Sequence, residues 1–289
     1  MIPASFDYHA PATLPEAVAL LAQHAGGAKV LSGGQSLLPL LKLRLGQADH
    51  LVDIGRIPGL EYIREEGGYL LIGGRTREAA LETSELVRTR YPILLDTTKV
   101  IADPLVRNRA TVGGNLAHGD PGNDHPATML ALGASVVAVG PGGRREIPCA
   151  ELFVGLFTTT LAADEILTEI RVPAPPARSG GAYIKLERKV GDYATAAAAA
   201  QVTLDDGGAL ATVGLALTNV GPTPVVAAAA QALVGRRPEA RAIADAARAA
   251  AEAADPNADR RGSVEYKREM ARVLAARALT RAIERAGGR

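Results

Sequence analysis

Two glycine-rich segments with polar flanks constrain the fold of this chain more than any other feature of its sequence. Loop 1, Ser32-Gly33-Gly34-Gln35-Ser36, follows a short apolar run, and loop 2, Thr111-Val112-Gly113-Gly114-Asn115, lies much later. Paired glycines let the backbone approach a phosphate closely, while flanking hydroxyl and amide groups donate to its oxygens. Neither loop has the spacing of a Walker loop or of a Rossmann fingerprint. The sequence therefore predicts a diphosphate held jointly by both loops, in a fold that brings them together.

Glycine pairs alone do not identify a phosphate site, because ordinary turns explain most of them. What distinguishes loops 1 and 2 is their polar flanks and, for loop 1, its place between an apolar strand and a short helix. The pairs that plain turns explain are Gly26-Gly27, Gly67-Gly68, Gly73-Gly74, Gly142-Gly143 and Gly207-Gly208.

The first stretch of the chain predicts a small βαβ-like subdomain over residues 1–57. Thr13 and Glu16 form a capping-box pattern ahead of apolar residues at helical spacing. The predicted elements are a helix over 14–24, strands over 28–31 and 51–54, and a short helix after loop 1.

The middle of the chain, residues 58–175, predicts a second subdomain of hairpins and short helices. Glycine supplies the positive φ angles that tight hairpin turns require. The predicted strands are 62–64 and 69–72 around Glu65–Gly68, 136–139 and 144–147 around Gly140–Gly143, and 166–172 before the linker Pro173–Pro176.

Residues 176–289 predict a C-terminal domain in which an antiparallel sheet packs against helices. The strands are expected over 182–187, 199–204 and 209–217, and the helices over 238–253 and from the Ser263 cap to about 286. The alanine run 196–200 suggests a helix by composition, but its place between two strand-like segments favours a strand. The fold class expected for the whole chain is α+β.

Charge and cysteine content narrow the functional classes. A formal net charge of +1 over 289 residues offers no broad electrostatic surface for nucleic acid. The N-terminus lacks a leader-like pattern and no apolar run is long enough to span a bilayer, so a cytoplasmic location is expected. The one cysteine, Cys149, cannot supply the four thiolates of an iron–sulfur cluster, which would have to lie on another chain.

Four residues after loop 2 have side chains of the types that bind metals: His118, Asp120, Asp124 and His125. The alternative is that Asp120-Pro121-Gly122 is a turn and that Asp124 caps, or nearly caps, a helix beginning around Pro126. The second interpretation predicts no metal site.

The motifs together resemble the medium, flavin-binding subunit of the xanthine dehydrogenase and carbon monoxide dehydrogenase family of molybdenum hydroxylases. The resemblance rests on Val30–Arg44, on Thr111–Pro121 and on the later Glu187–Ala194. It implies a vanillyl-alcohol-oxidase/PCMH-like fold, with FAD between a two-part N-terminal region and the C-terminal domain. The 117–121 segment is most similar to the carbon monoxide dehydrogenase-like group, which also includes dehydrogenases of nitrogen heterocycles and aldehydes.

The resemblance also assigns cofactor-binding residues. Loops 1 and 2 would hold the FAD diphosphate, Asp124 would be a further flavin-binding carboxylate, Leu161 and Lys185 would contact the flavin end, and Tyr193 would lie near the isoalloxazine face. Gln35 replaces a frequent His and Asn115 an occasional Asp, which changes contact details and keeps hydrogen-bonding capacity. The full set is Lys29, Val30, Leu31, Ser32, Gly33, Gly34, Gln35, Ser36, Thr111, Val112, Gly113, Gly114, Asn115, Asp124, Leu161, Lys185 and Tyr193.

As a family property, the resemblance implies a subunit that receives electrons from [2Fe-2S] clusters of a small partner and passes them through FAD to an external acceptor. Substrate oxidation would occur at a molybdopterin cofactor on a large partner, in a dimer of heterotrimers, so no catalytic acid, base or nucleophile is expected here. The alternatives are a stand-alone FAD-dependent oxidoreductase of the same fold, and a colourless scaffold whose glycine loops are ordinary turns.

Overall fold

The computed structural model describes residues 1–288. The first stretch of the chain forms a three-stranded parallel sheet. The capping box is present as predicted, because Thr13 accepts from the Glu16 amide and Glu16 reaches back to the Thr13 amide. The sequence did not predict β1, which is only three residues long. The elements are β1 (Asp7–His9), α1 (Leu14–Gln23), β2 (Ala28–Leu31), α2 (Leu37–Leu43) and β3 (His50–Asp53), with strand order β1-β3-β2.

The second stretch forms a five-stranded sheet in the order β4-β5-β10-β6-β7, with helices between its strands. Both predicted hairpins are confirmed, and Gly67 and Gly68 have φ angles of 60° and 84° in the first turn. The elements are β4 (Ile63–Glu66), β5 (Tyr69–Gly73), α3 (Glu78–Thr83), α4 (Glu85–Arg90), α5 (Pro92–Lys99), α6 (Pro104–Arg107), α7 (Val112–Ala117), α8 (Asp124–Ala131), β6 (Ser135–Gly140), β7 (Gly143–Pro148), α9 (Cys149–Leu152), β8 (Phe153–Gly155), β9 (Thr158–Thr159) and β10 (Ile166–Pro173).

The third stretch forms a four-stranded antiparallel sheet in the order β11-β12-β13-β14, followed by two helices. The side chain of Ser263 caps the last helix, as predicted. The elements are β11 (Ser179–Leu186), β12 (Ala196–Leu204), β13 (Leu210–Thr218), β14 (Val225–Val226), α10 (Ala240–Glu252) and α11 (Val264–Ala286).

The alanine run is a strand because both of its faces are covered closely. Ala196, Ala198 and Ala200 belong to the core under α10 and α11. Ala197 and Ala199 face the other way, into the core of the second stretch. A side chain on Gly214 of the next strand would begin 2.0 Å from the Ala131 carbonyl of α8. Small residues at a period of two thus let helices approach both faces of the sheet.

The architecture is α+β, as predicted. The C-terminal sheet shares its core with α5 and α8 of the second stretch, so the cofactor-binding region predicted from the sequence adjoins the third stretch. Within residues 1–288, each helix is too short or too polar to cross a lipid bilayer. We propose domain boundaries at residues 57 and 175, where one sheet is complete and the next begins.

Candidate functional site

Loops 1 and 2 lie against each other in the structure. The hydroxyl oxygens of Ser32 and Thr111 are 3.1 Å apart, within hydrogen-bonding distance. A side chain on Gly33 would begin 2.3 Å from the carbonyl oxygen of Arg109, just before loop 2. The first glycine of loop 1 is therefore required for backbone packing between the loops. A joint diphosphate site needs this adjacency, and the fold provides it.

Loop 1 presents free backbone donors. It connects β2 to α2, and Gly34 has a φ of 76°, a conformation that favours glycine. In the part of the chain that the structure describes, no hydrogen bond uses the backbone N–H groups of Gly33, Gly34 or Gln35. Successive N–H groups in a turn that includes a positive φ form a concavity that binds anions. Gln35 is exposed and the rest of loop 1 is partly exposed, so a ligand can reach these donors.

Loop 2 is the start of a helix, and its amides from Val112 to Asn115 already have partners in the protein. Thr111 caps α7 by accepting from the Gly114 amide. The amides of Val112 and Gly113 donate to the carbonyls of Thr76 and Gly74, at 2.9 and 3.2 Å. A side chain on Gly113 would begin 2.4 Å from the Gly74 oxygen, so this glycine also serves close backbone packing.

What loop 2 offers a ligand is a side chain. The Asn115 side-chain oxygen is buried and has no hydrogen-bond partner among the described residues. The hydroxyl oxygen of Thr160, the residue before Leu161, is also buried and without a hydrogen-bond partner among the described residues. Because buried polar atoms in folded proteins nearly always have a partner, both are expected to meet one when a ligand is bound. Free amides in loop 1 and unpaired oxygens at positions 115 and 160 fit a polar cofactor such as FAD.

Asp124 and Lys185 form a buried ion pair between α8 and β11. Lys185 Nζ donates to Asp124 Oδ2 at 3.0 Å and to the Val100 carbonyl at 2.9 Å. The Tyr183 hydroxyl donates to the other Asp124 oxygen at 2.6 Å. The Lys185 and Asp124 side chains are 2% and 7% exposed. Asn123 occupies the N-cap position of α8 and Asp124 is the first residue of that helix, next to the cap, as the near-cap interpretation predicted.

Burial dominates the electrostatics of this cluster. Desolvation raises the pKa of Asp124, while Lys185 and Tyr183 oppose the shift by stabilising the carboxylate. Desolvation and the neighbouring Asp124 raise the pKa of Tyr183 well above its usual range, so Tyr183 remains a hydrogen-bond donor. The Asn123 side chain donates to the Asn115 carbonyl at 2.8 Å, which ties this cluster to loop 2.

Tyr193 borders a small cavity that the sequence did not reveal. The cavity has a volume of about 190 Å³ and is lined by Asp120, Gly122, Tyr193, Asn219, Asp259 and Arg261. Tyr193 is 44% exposed, and the Arg261 guanidinium lies 5.9 Å from its ring centroid. Arg261 also donates to Asp192 at 3.0 Å. Arg261 and Asn219 lie in no recognisable motif, so only the fold places them beside Tyr193.

The other predicted residues lie at different distances from this region. Leu161 is partly buried after β9, and Lys29 is exposed on β2. The larger of the two described cavities, about 440 Å³, lies at the end of α2 near Arg44, and loop 1 is not among its lining residues. Because it contains none of the predicted residues, we place the cofactor site at the loops instead.

The four candidate metal ligands after loop 2 have other partners. His125 lies fully buried with its Nε2 atom 2.7 Å from Glu78, and both Asp124 oxygens face donors on β11. His118 contacts the ring of Phe157, and Asp120 accepts from the Gly122 amide in the predicted turn.

Comparison with known proteins covers both parts of the chain. Residues 4–175 match the FAD binding domain in molybdopterin dehydrogenase, and residues 181–282 match the CO dehydrogenase flavoprotein C-terminal domain. The carbon monoxide dehydrogenase medium chain of Hydrogenophaga pseudoflava is 47% identical over 283 residues, 98% of each chain. Subunit alpha of the 6-hydroxypseudooxynicotine dehydrogenase complex of Paenarthrobacter nicotinovorans is 39% identical, over 99% of this chain and 97% of its own.

A solved structure agrees with these matches. The carbon monoxide dehydrogenase from Hydrogenophaga pseudoflava that lacks the Mo-pyranopterin moiety contains a chain that superposes with a TM-score of 0.95. The identity is 49%, over 98% of each chain. The predicted fold, a two-part FAD-binding region followed by an antiparallel sheet with helices, is confirmed.

Proposed function

The chain belongs to the family of FAD-binding subunits of molybdopterin dehydrogenases, and on that premise we propose that it relays electrons from iron–sulfur clusters of a partner to an external acceptor. It is the flavoprotein subunit of an oxidoreductase, and its cofactor is FAD. Bound FAD supplies the redox chemistry, since its isoalloxazine exchanges electrons singly or in pairs.

The observation that carries the proposal is the junction of the two loops. Free amides at Gly33, Gly34 and Gln35 lie beside the Ser32–Thr111 contact, and the unpaired Asn115 oxygen lies in the helix that loop 2 begins. The loop 1 amides would bind the diphosphate, while Asn115 would accept a hydrogen bond from the cofactor. Loop 2 would position loop 1, since Gly33 packs directly against its start.

The Asp124–Lys185 pair acts in this proposal as a positioning element. Its charged atoms contact Tyr183, Val100 and each other, and Glu187 lies 3.5 Å from Lys185 Nζ. It would fix the start of α8 against the C-terminal sheet, so that the two sides of the cofactor site keep their spacing. Lys185 and Asp124 would then support the flavin end from behind, and Leu161 and Tyr193 would contact it more directly.

The partly exposed ring of Tyr193 would cover the isoalloxazine on its side of the site and limit the access of water there. Its hydroxyl has its pKa raised by burial and by nearby carboxylates, so the ring stays neutral at physiological pH. Arg261, held by Asp192, would keep Tyr193 in place through the contact over its ring.

The partner assignments rest on the family, whose relatives are named as medium chains or subunits of dehydrogenase complexes. Burial raises the pKa of Cys149 to about 12, so this thiol is unsuited to binding a cluster. The proposed partners are a small [2Fe-2S] subunit and a large molybdopterin subunit, in a cytoplasmic dimer of heterotrimers. Relatives named for carbon monoxide and for 6-hydroxypseudooxynicotine leave several substrates open for the complex.

The test uses the full chain alone and co-purified with its two partners. We expect about one FAD per chain, no substrate-dependent flavin bleaching in the isolated chain, and rapid bleaching in the complex under anaerobic conditions. The complex should first be screened against carbon monoxide and against N-heterocyclic and aldehyde substrates.

Two results would overturn the proposal. Flavin reduction by an organic substrate in the isolated chain would make it a stand-alone oxidoreductase. A colourless chain that takes up no FAD, either alone or in the complex, would make the loops simple turns.

A further inference from the structure

Three histidines from separate elements meet on the first sheet, outside the cofactor region. His9 ends β1, His24 follows the last residue of α1, and His50 begins β3. One nitrogen from each ring lies within 4.8 Å of the other two, and all three side chains are partly buried. The chain has five histidines, so three of them converge on one point of the fold.

The ring geometry is close to that of a metal-binding set. His9 Nε2 and His50 Nδ1 are 3.2 Å apart. Metal–nitrogen distances of about 2.0–2.1 Å place tetrahedral ligand nitrogens roughly 3.3 Å apart, which matches this pair. His24 stacks on His50 with ring centroids 3.7 Å apart, so its ring would have to turn out of this stack for its nitrogen to face the same centre.

A carboxylate lies at the same point. Asp7 pairs with His50 across the β1–β3 ladder, and its Oδ2 atom is 3.6 Å from the His50 nitrogen that faces His9. The Asp7 side chain is 77% exposed and that of His50 is 20% exposed. An ion can therefore enter from solvent, and a carboxylate or a water can complete a fourth position.

We propose that His9, His24 and His50 form a binding site for one divalent transition-metal ion of the zinc class. Neutral imidazoles favour Zn²⁺ and its neighbours over the hard cations Mg²⁺ and Ca²⁺, which prefer oxygen ligands. The ion would join β1, the end of α1 and the start of β3. These elements pack beside β2, and loop 1 follows directly after β2. The ion would therefore stabilise the strand from which loop 1 begins.

The experiment uses the full chain, purified without a polyhistidine tag and freed of metal with a chelator. ZnCl₂ is titrated by calorimetry, bound metal is measured by mass spectrometry, and Co²⁺ serves as a spectroscopic probe of geometry. The variants are His24→Asn and His9→Asn, with His118→Asn as the control, because His118 lies outside the cluster.

The expected result is one zinc ion per wild-type chain, with a Kd of roughly micromolar or below. Wild-type Co²⁺ complexes should show the intense visible absorption of tetrahedral coordination, and zinc should raise the melting temperature by several degrees. Both cluster variants should bind at least about 100-fold more weakly, and His118→Asn should bind normally.

The proposal is overturned if the wild-type chain binds no zinc, or if the cobalt complex is octahedral. It is also overturned if folded His24→Asn, checked by circular dichroism, binds as tightly as wild type. The wild-type measurements decide the question even where a variant fails to fold. The three histidines would then be a packing contact between strands and helix.

Discussion

Loops 1 and 2 carry the same Gly-Gly signature, yet the structure gives them opposite tasks. Loop 1 leaves the amides of Gly33, Gly34 and Gln35 without protein partners. Loop 2 uses its own amides to begin α7 and to bond the backbone of Thr76 and Gly74. One loop is therefore equipped to bind an anion, and the other holds the first in place.

The comparison shows that glycine can be required in such a pair for at least two different physical reasons. Gly34 needs its positive φ, whereas Gly33 and Gly113 need the absence of a side chain where two backbones touch. Substitutions that separate these reasons test whether the two loops differ as the structure indicates.

The largest effect is expected at the Asp124–Lys185 pair, which adjoins the Asn123 side chain that donates to the Asn115 carbonyl of loop 2. Lys185→Met would leave the Asp124 carboxylate buried without its cation, at a cost of about 3–5 kcal/mol in the free energy of unfolding. Urea denaturation measures this cost, and Lys99→Met, at an exposed lysine, is the control. An equal stability in both variants would show that the pair does not hold loop 2.

A similarly large effect is expected at the backbone contact of loop 2. Gly113→Ala places a methyl group 2.4 Å from the Gly74 oxygen, which neither backbone can avoid. We expect a loss of about 3 kcal/mol by urea denaturation. Gly142→Ala, at a turn glycine with nothing within 4 Å, should be nearly neutral. A well-tolerated Gly113→Ala would contradict the scaffold role of loop 2.

A smaller effect on stability and FAD affinity is expected to distinguish Gly34 of loop 1 from Gly114 of loop 2. Gly34→Ala should cost about 1 kcal/mol in stability through its positive φ. It should also weaken FAD binding roughly tenfold, because the free amides turn away from the diphosphate. Gly114 has no positive φ, and its added methyl group would meet only the Thr111 hydroxyl, at 2.7 Å, so Gly114→Ala should weaken FAD binding less than Gly34→Ala. Fluorescence titration of the flavin-free chain distinguishes them, and a reversed order would exchange the tasks of the loops.

The contribution of loop 2 to cofactor binding is expected through Asn115 alone. Asn115→Ala removes a buried oxygen that has no protein partner, so the flavin-free chain should not lose stability through that atom. FAD affinity should fall by about 1 kcal/mol, the value of one hydrogen bond. Asn115→Asp, which keeps an acceptor, is the matched control. Unchanged affinity in Asn115→Ala would leave loop 2 with a purely structural role.

The smallest effect concerns pH at the segment that carries Thr160 and Leu161. Arg145 lowers the pKa of Glu165, and the same arginine donates to the Thr160 carbonyl at 2.8 Å. A lowered folded-state pKa means that this stabilisation is present above the unfolded value near 4.3 and is lost as pH falls through the folded value. Because Arg145 is half exposed, the loss should be below about 1 kcal/mol. Wild type and Glu165→Gln should therefore converge in stability near pH 3 and differ at pH 6; a constant difference would contradict the assignment.

Much of the fold was predictable because local rules determined it. The Thr13–Glu16 capping box, the Gly67-Gly68 turn and the Ser263 cap each require only neighbours in the chain, and each is confirmed. The alanine strand was predictable only from its neighbours, since its composition alone favours a helix. Its real cause is the packing of helices on both faces of the sheet.

In the candidate site, too, some features could be predicted from the sequence and others required the tertiary structure. The sequence by itself determined that two glycine-rich loops with polar flanks exist, and their motifs indicated the family. Only the tertiary structure decided that Gly33 packs on Arg109, that Asp124 pairs with Lys185, and that Arg261 lies beside Tyr193. These contacts join residues distant in the chain, and their energies depend on burial and on the atoms opposite, which no local pattern records.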